Sequence, residues 1–290
     1  MSAEIIDGFM IAKGYRERLA LEVEKFVAEH GVRPVIRVLL VGDNPASLSY
    51  IKGKVKAAAE IGIDSEVLRY EPSITEAELL AEIERINQNP AIHGILVQLP
   101  LPKHIDEHKV GLAVDPMKDI DGFHPVNQGN SLAGNWCLES CTPKGVIALL
   151  DTIGCDLNGK KVVVIGRSNI VGKPVSVLAL NRNATVTICH SRTQNLAEEA
   201  RQADVLIVAI GQPKFVGADF VKPGAVVIDV GISRTAENKL VGDVDFDSVK
   251  EVAGWITPVP RGVGPMTIAM LMQNAFEAMT KQISEGAVSV

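Results

Sequence analysis

An α/β fold of two domains follows from three features of the sequence. Short Val- and Ile-rich runs recur along it, helical periodicity fills the gaps between them, and one long irregular stretch breaks the rhythm. The 290 residues suffice for one large domain or two ordinary ones, and the interruption favours two.

The apolar runs lie at 35–42, 92–100, 161–166, 184–191, 205–211 and 226–232. Near-continuous runs of this kind suit strands buried on both faces of a parallel sheet. Between them, TEAELLAEIERINQN at 75–89 has a helical period. Thr75 and Glu78 are spaced as a capping box, and Leu79, Ile83 and Ile86 form an apolar stripe with Leu80 beside it. Alternation of the two patterns predicts a doubly wound α/β architecture. The segment 101–144 is rich in Pro, Gly, Asp and Asn, and loops of that length are usually functional or linking. A fresh βα series begins at Lys161, so a boundary is expected near residue 140. The two domains, 1–140 and a Rossmann-like 141–265, are expected to flank a cleft. The pattern at 266–280 is apolar nearly all round, and 266–290 is expected to pack back on the first domain.

Hydrophobic residues make up 47% and charged residues 22%, the composition of a packed globular protein rather than a disordered one. The net charge of −6 gives no electrostatic ground for a nucleic-acid partner. The N-terminus lacks an apolar core behind a basic start, and no window offers about 18 to 20 uncharged apolar residues, so neither a signal peptide nor a membrane partner is expected. A cytoplasmic protein is expected. Cys137, Cys141, Cys155 and Cys189 form no C-x-x-C and are expected to be reduced structural thiols. His104 and His108 are four apart without a carboxylate-bearing helix motif, and no metal is expected there.

In the second half, VVVIGRSNIVGKPVSVLAL (162–180) runs from strand through a glycine-bearing turn into a helix, whose N-terminus can receive a phosphate. Only Gly166 and Gly172 of the usual three-glycine fingerprint are present. Arg167 and Ser168 take the place of the middle glycine region, a cation and a hydroxyl suited to phosphate. Dinucleotide sites for NAD place an acid about 20 residues on. Here the strand ends in His190 and Ser191, followed by Arg192 and Thr193, which favours a 2′-phosphate and hence NADP. The bland alternative is that Arg167 and Arg192 are solvated surface charges.

In the first half, Asn44 is the expected N-cap and Pro45 the first residue of a helix. On it Ser47, Tyr50, Lys54, Ala57 and Ile61 share one face, while Lys52, Lys56 and Glu60 share another. Lys54 is offset by about 200° from Lys52. A lysine desolvated on such a face suits proton transfer, although by pattern alone a snorkelling lysine is the commoner case. Gln98 stands near the end of a strand, where parallel sheets present side chains to ligands. Asp119 and Asp121 lie in MKDIDGFHPVN, for which turn chemistry is the simple reading.

Taken together, the stretches ASLSYIKGK (46–54), GILVQLPLP (94–102), KDIDGFHPVNQG (118–129), CTPKGV (141–146), GRSNIVGKP (166–174), DVGI (229–232), GDVDF (242–246) and TPVPRGVGPMT (257–267) resemble the bifunctional methylenetetrahydrofolate dehydrogenase/cyclohydrolases. The resemblance spans nearly the whole chain in the family's order. It implies NADP-dependent oxidation of 5,10-methylene-tetrahydrofolate and hydrolysis of the methenyl product, within one-carbon metabolism and purine biosynthesis. It makes Tyr50 the residue that packs on the folate ring, Lys54 the catalytic lysine of the cyclohydrolase step, and Gln98 its tuning partner. Asp121 becomes the aspartate that grips the pterin. Gly166, Arg167, Ser168 and Ser191 become cofactor contacts at the phosphates, and Ile232 one near the nicotinamide. Gly264 and Pro265 fall in the loop bordering the substrate. Tetrahydrofolate derivatives are the implied ligands and a homodimer the implied assembly. A shikimate-type NADP-dependent dehydrogenase is the alternative. One departure stands out: where the family reads P-G-G-V-G-P, this chain has Arg261. If that glycine needs a positive φ, arginine there costs about 1 kcal/mol.

Overall fold

The structure, a computed structural model, describes residues 2–235 and 237–286, with the backbone alone for Ala46 and Ser49. In chain order the elements are β1 (Glu4–Ile5), α1 (Gly8–His30), β2 (Val35–Val41), α2 (Pro45–Ile61), β3 (Asp64–Tyr70), α3 (Glu76–Asn87), β4 (Gly94–Val97), α4 (Glu107–Ala113), α5 (Pro125–Ala133) and α6 (Cys141–Thr152). There follow β5 (Lys161–Ile165), α7 (Gly172–Asn181), β6 (Thr185–Cys189), α8 (Leu196–Ala200), β7 (Val205–Val208), a 3-10 turn (Ala218–Phe220), β8 (Val226–Asp229), β9 (Ser233–Arg234), β10 (Leu240–Val241), α9 (Phe246–Val249), β11 (Trp255–Ile256) and α10 (Val263–Ser284). The chain forms two compact units, Met1–Ala12 with Thr142–Thr267, and Lys13–Cys141 with Ile268–Val290.

The unit built on Lys13–Cys141 holds a three-stranded parallel sheet in the order β3-β2-β4. Its core joins Leu39 and Val41 of β2 and Ile95 of β4 to Leu79, Ile83 and Ile86 of α3. Thr75 and Glu78 form the capping box, with Glu78 N–H donating to Thr75 Oγ1 at 3.2 Å and Thr75 N–H to Glu78 Oε2 at 2.9 Å. The far end of α3 is closed from a distance. Lys118, buried, donates from Nζ to the carbonyls of Ile86, Asn87 and Asn89, which satisfies the orphan acceptors of the last turn. Asn44 accepts from Ser47 N–H at 3.4 Å, and α2 begins at Pro45.

The other unit holds a six-stranded sheet in the order β1-β11-β8-β7-β5-β6, parallel throughout. Its order reverses between β5 and β7, the kind of switch point at which doubly wound sheets bind ligands. Val163, Ile165, Leu206, Val208 and Val227 are buried in one core there.

The structure corrects the sequence reading in places and settles it in others. Residues 4–5, assigned to the first domain, pair with Trp255–Ile256 at the edge of the six-stranded sheet and group with that unit. The stretch 101–144 is not irregular throughout: it contains α4 and α5, which begin at Asp106 and His124, whose side chains cap them. The strands end about one to three residues before the apolar runs do at their carboxyl ends, where the chain turns away from the sheet. Arg261 does sit at positive φ, +83°. Its guanidinium pairs with Asp7 at 2.6 Å and lies 5.2 Å from the Phe9 ring centroid, so local contacts oppose the strain. Of the segment 266–290, residues 287–290 lie outside the described residues, and from Ile268 onward the remainder groups with the unit of Lys13–Cys141.

Candidate active site

Four of the expected residues meet in the unit built on Lys13–Cys141. The helical offset between Lys54 and its neighbours is realised: Lys54 is 7% exposed, whereas Lys52 and Lys56 lie in solvent. Lys54 Nζ donates to Gln98 Oε1 at 3.1 Å and stands 5.6 Å from the centroid of the Tyr50 ring, one turn earlier on α2. Gln98 follows β4, and its backbone N–H still donates to Leu39 O at 2.9 Å, as though the ladder ran one step further. Its side-chain amide donates from Nε2 to Leu99 O at 2.7 Å. That bond leaves only Oε1 to turn towards Lys54, so the lysine receives an acceptor of fixed direction.

Asp121 completes the group. Burial pushes its carboxyl up to about 6, the Lys54 ammonium opposes the rise, and Asp119 adds to it. Burial also raises the Tyr50 phenol, with the Asp121 charge contributing. A buried lysine, a carboxyl that titrates near neutrality and a ring surface 43% exposed make a place where a flat heterocycle can stack and protons can move.

Asp119, read from sequence as a turn residue, has a larger role. It is buried, and its Oδ2 accepts from His124 N–H at 2.7 Å and Asn127 Nδ2 at 3.2 Å. Burial raises its carboxyl while these bonds oppose the rise. The two aspartates of KDIDGF therefore divide, Asp119 holding the loop and Asp121 interacting with the Lys54 charge.

A second group lies in the six-stranded unit. Gly166 ends β5 at φ +126°, and a Cβ there would strike the Ala209 carbonyl after β7, so the switch point is open only to glycine. Ser168 Oγ accepts from Val171 and Gly172 N–H at 3.1 and 3.3 Å, which shapes the turn into α7. Arg167 and Ser168 are exposed beside it. Gly166 N–H donates to Cys189 O, which sets the ends of β5 and β6 side by side. Beyond β6, Thr193 Oγ1 accepts from His190 N–H and His190 Nδ1 from Arg192 N–H, so Ser191 and Arg192 ride on a tight turn. Neither Arg167 nor Arg192 has an ion-pair partner among the described residues. Two cations without an ion-pair partner among the described residues, the hydroxyls of Ser168 and Ser191 and a helix N-terminus fit a phosphorylated dinucleotide.

Ile232, Gly264 and Pro265 gather elsewhere in that unit, around a cavity of about 240 Å³ also lined by Leu240, Pro258 and Arg261. Two buried aspartates that sequence reasoning gave no role brace this region. Asp229 accepts from the N–H groups of Gly231, Asp243 and Val244, and Asp243 Oδ2 from those of Ile210 and Gly211. Both lie inside quoted motifs, DVGI and GDVDF, which was the available signal.

Comparison with known proteins decides the assignment. Residues 6–121 match the family described as tetrahydrofolate dehydrogenase/cyclohydrolase, catalytic domain, and residues 140–283 match its NAD(P)-binding domain. The chain belongs to the tetrahydrofolate dehydrogenase/cyclohydrolase family. The bifunctional protein FolD of Brevibacillus brevis is 54% identical to it, over 98% of this chain and 100% of the relative. Among solved structures, the FolD methylenetetrahydrofolate dehydrogenase/cyclohydrolase of Campylobacter jejuni superposes with a TM-score of 0.94 at 44% identity, over 97% and 100% of the two chains. The Trypanosoma brucei enzyme, solved with NADP cofactor and an inhibitor, gives 0.92 at 37% identity, over 98% and 99%. Shikimate 5-dehydrogenase of Listeria monocytogenes shares 17% identity at a TM-score of 0.50, a likeness of fold alone that removes the shikimate alternative. No helix of the described residues is long and apolar enough to cross a membrane, and no disulfide joins the four cysteines.

Proposed function

We propose that this chain performs both reactions of its family, oxidising 5,10-methylene-tetrahydrofolate to the methenyl form and hydrolysing that to 10-formyl-tetrahydrofolate. The observation that carries the reading is the buried Lys54, held by Gln98 and flanked by the Tyr50 ring and the Asp121 carboxyl. NADP, when bound, supplies the hydride acceptor for the first step. Arg167, Ser168 and Ser191 would hold its phosphates, Gly166 would admit its backbone approach, and Ile232 would lie along the nicotinamide. Asp121 accepts from the N–H groups of the pterin, and Tyr50 packs on its face. In the second step water adds to the cationic methenyl carbon and gives up a proton, and the C–N bond then breaks with a proton delivered to nitrogen. Lys54, as the free amine, takes the first proton and, as the ammonium so formed, returns it to nitrogen, while its bond to Gln98 Oε1 keeps Nζ aimed. The protein works in the cytoplasm as a homodimer.

A spectrophotometric assay tests this reading directly. Methenyl formation should require NADP, and the methenyl absorbance should then decay to the formyl product; absence of the methenyl species would sink the proposal. Asp121→Ala should raise KM for the folate roughly 10- to 100-fold, because pterin donors lose their acceptor, with NADP affinity unchanged. In the wild type the same KM should climb as pH falls below about 6, where the Asp121 carboxyl takes up its proton. Light scattering checks the dimer.

A further inference from the structure

The peptide that carries Asp121 belongs to no strand or helix, yet three consecutive carbonyls in it are held. Ile120 O accepts from Asn274 Nδ2 at 2.9 Å and from the Cys141 thiol at 3.2 Å. Asp121 O accepts from Cys141 N–H at 3.3 Å, and Gly122 O from Ser140 Oγ at 2.8 Å. Asn274 also donates from Nδ2 to Glu139 O at 2.7 Å, so one amide joins the two strands of chain that face each other here. Asn274 is 0% exposed, Cys141 2% and Ser140 3%. Gly122 has φ +72°, and a Cβ there would strike the backbone of Glu139 and Ser140, which shows how closely the segments lie. On the other flank Asp119 holds His124 and Asn127, and Ile95 N–H donates to Lys118 O at 2.7 Å.

A fully buried carboxamide is costly to desolvate unless its donors are used, and a satisfied buried network stiffens what it joins. Backbone outside regular structure must find such partners individually. The partners here converge on the three residues centred on Asp121, where a small misplacement of the carboxylate would spoil its fit to a rigid heterocycle. We propose that Asn274, with Cys141 and Ser140, is a positioning set that fixes the Ile120–Gly122 backbone and so aims the Asp121 carboxylate at the pterin. The inference rests on the folate-binding role of Asp121 given above.

The test compares Asn274→Ala, Ser140→Ala, Cys141→Ala and Cys141→Ser in the full-length enzyme, with Asp121→Ala alongside. KM for methylene-tetrahydrofolate, the pH midpoint of its rise in acid, kcat and the Kd for NADP are measured, with the melting temperature as a check on folding. Asn274→Ala should raise the folate KM about tenfold, the scale of one buried hydrogen bond. The pH midpoint should fall towards that of an ordinary carboxylate as Asp121 leaves its desolvated seat, and NADP affinity should stay within about twofold. Ser140→Ala, which removes the bond to Gly122 O, and Cys141→Ala, which removes the thiol's bond to Ile120 O and its longer one from Asn274 Nδ2 at 3.5 Å, should give smaller shifts in the same sense, and Cys141→Ser, which keeps a donor, should recover most of the Cys141→Ala loss. If Asn274→Ala does not fold, the Ser140 and Cys141 variants carry the test. An unchanged KM and pH midpoint in folded variants, with only the melting temperature lowered, would overturn the inference while leaving Asp121 in its role. An unchanged folate KM in Asp121→Ala would overturn both.

Discussion

Lys54 and Arg167 are both basic residues at proposed ligand sites, yet one is buried against an amide and an aromatic ring and the other stands open in solvent. The groups around Lys54 are side chains with fixed partners, and burial moves the neighbouring carboxyl to about 6. The groups around Arg167 are backbone amides, a hydroxyl and a glycine with no room for a Cβ, and Arg167 has no ion-pair partner among the described residues. The contrast suits the work proposed above for each. Proton transfer needs groups whose charge state is poised, which desolvation provides. Phosphate binding needs permanent positive charge and directed N–H groups, which burial among acids would only weaken.

The sharpest way to break this comparison is Lys54→Met, which keeps much of the side-chain length and removes the ammonium. Cyclohydrolase activity should fall by roughly 10² or more while some dehydrogenase activity survives, so methenyl-tetrahydrofolate accumulates. Lys52→Met and Lys56→Met, on the solvent face, should leave both steps nearly unchanged. Full cyclohydrolase turnover in a folded Lys54→Met enzyme would reduce Lys54 to a snorkelling residue.

On the cofactor side, Arg167→Ala should weaken NADP by roughly 1.5 to 3 kcal/mol and NAD much less, since the lost contact is a charge-assisted one to the 2′-phosphate. Isothermal titration with both cofactors decides it; equal losses would show that Arg167 does not read that phosphate.

The cofactor half is not free of buried acid, and Asp229 sharpens the contrast. Burial pushes its carboxyl up to about 7, the Asp243 charge raises it further, and three backbone N–H groups pull it down. The folded state therefore keeps a proton that the unfolded chain releases near pH 4. Stability is lost as pH rises from about 4 to about 7, by about 1.4 kcal/mol per pH unit at most, and levels off above. Denaturant unfolding as a function of pH should show a flatter slope over that window in Asp229→Asn, whatever its absolute stability.

The smallest effect is expected at Arg261. Arg261→Gly relieves the positive φ but loses the Asp7 ion pair and the Phe9 contact, so stability should stay within about 1 kcal/mol of wild type. Asp7→Ala keeps the strain and loses the pair, and should melt lower than Arg261→Gly.

Elements with strong local logic were legible from sequence. The Thr75–Glu78 box, the stripe of Leu79, Ile83 and Ile86, and the helical offset of Lys54 from Lys52 depend on spacing alone. The strand β3 was missed because its residues alternate between exposed and half-buried, without a long apolar run. The short helices α4 and α5 were missed because proline and glycine surround them and their caps, Asp106 and His124, read as loop residues. Asp119 and Asp121 look alike in sequence, and only the donors that converge on Asp119 separate them. Asn274 sits in a helix of nearly unbroken apolar character, where a single amide gives no sign of the carbonyls, some 135 to 154 residues away in the chain, that it serves.

The pairing of β1 with β11 has a bearing on how the protein is made and how it can be cut. Glu4 and Ile5 are synthesised about 250 residues before their partners Trp255 and Ile256. Residues 268–286 belong with the segment that starts at Lys13. Each unit is thus built from segments far apart in the chain, and no single break in the gene yields two fragments that each contain a whole unit. Expression of either half alone would leave an open sheet edge or a stripped core, so the two activities are inherited, and lost, together.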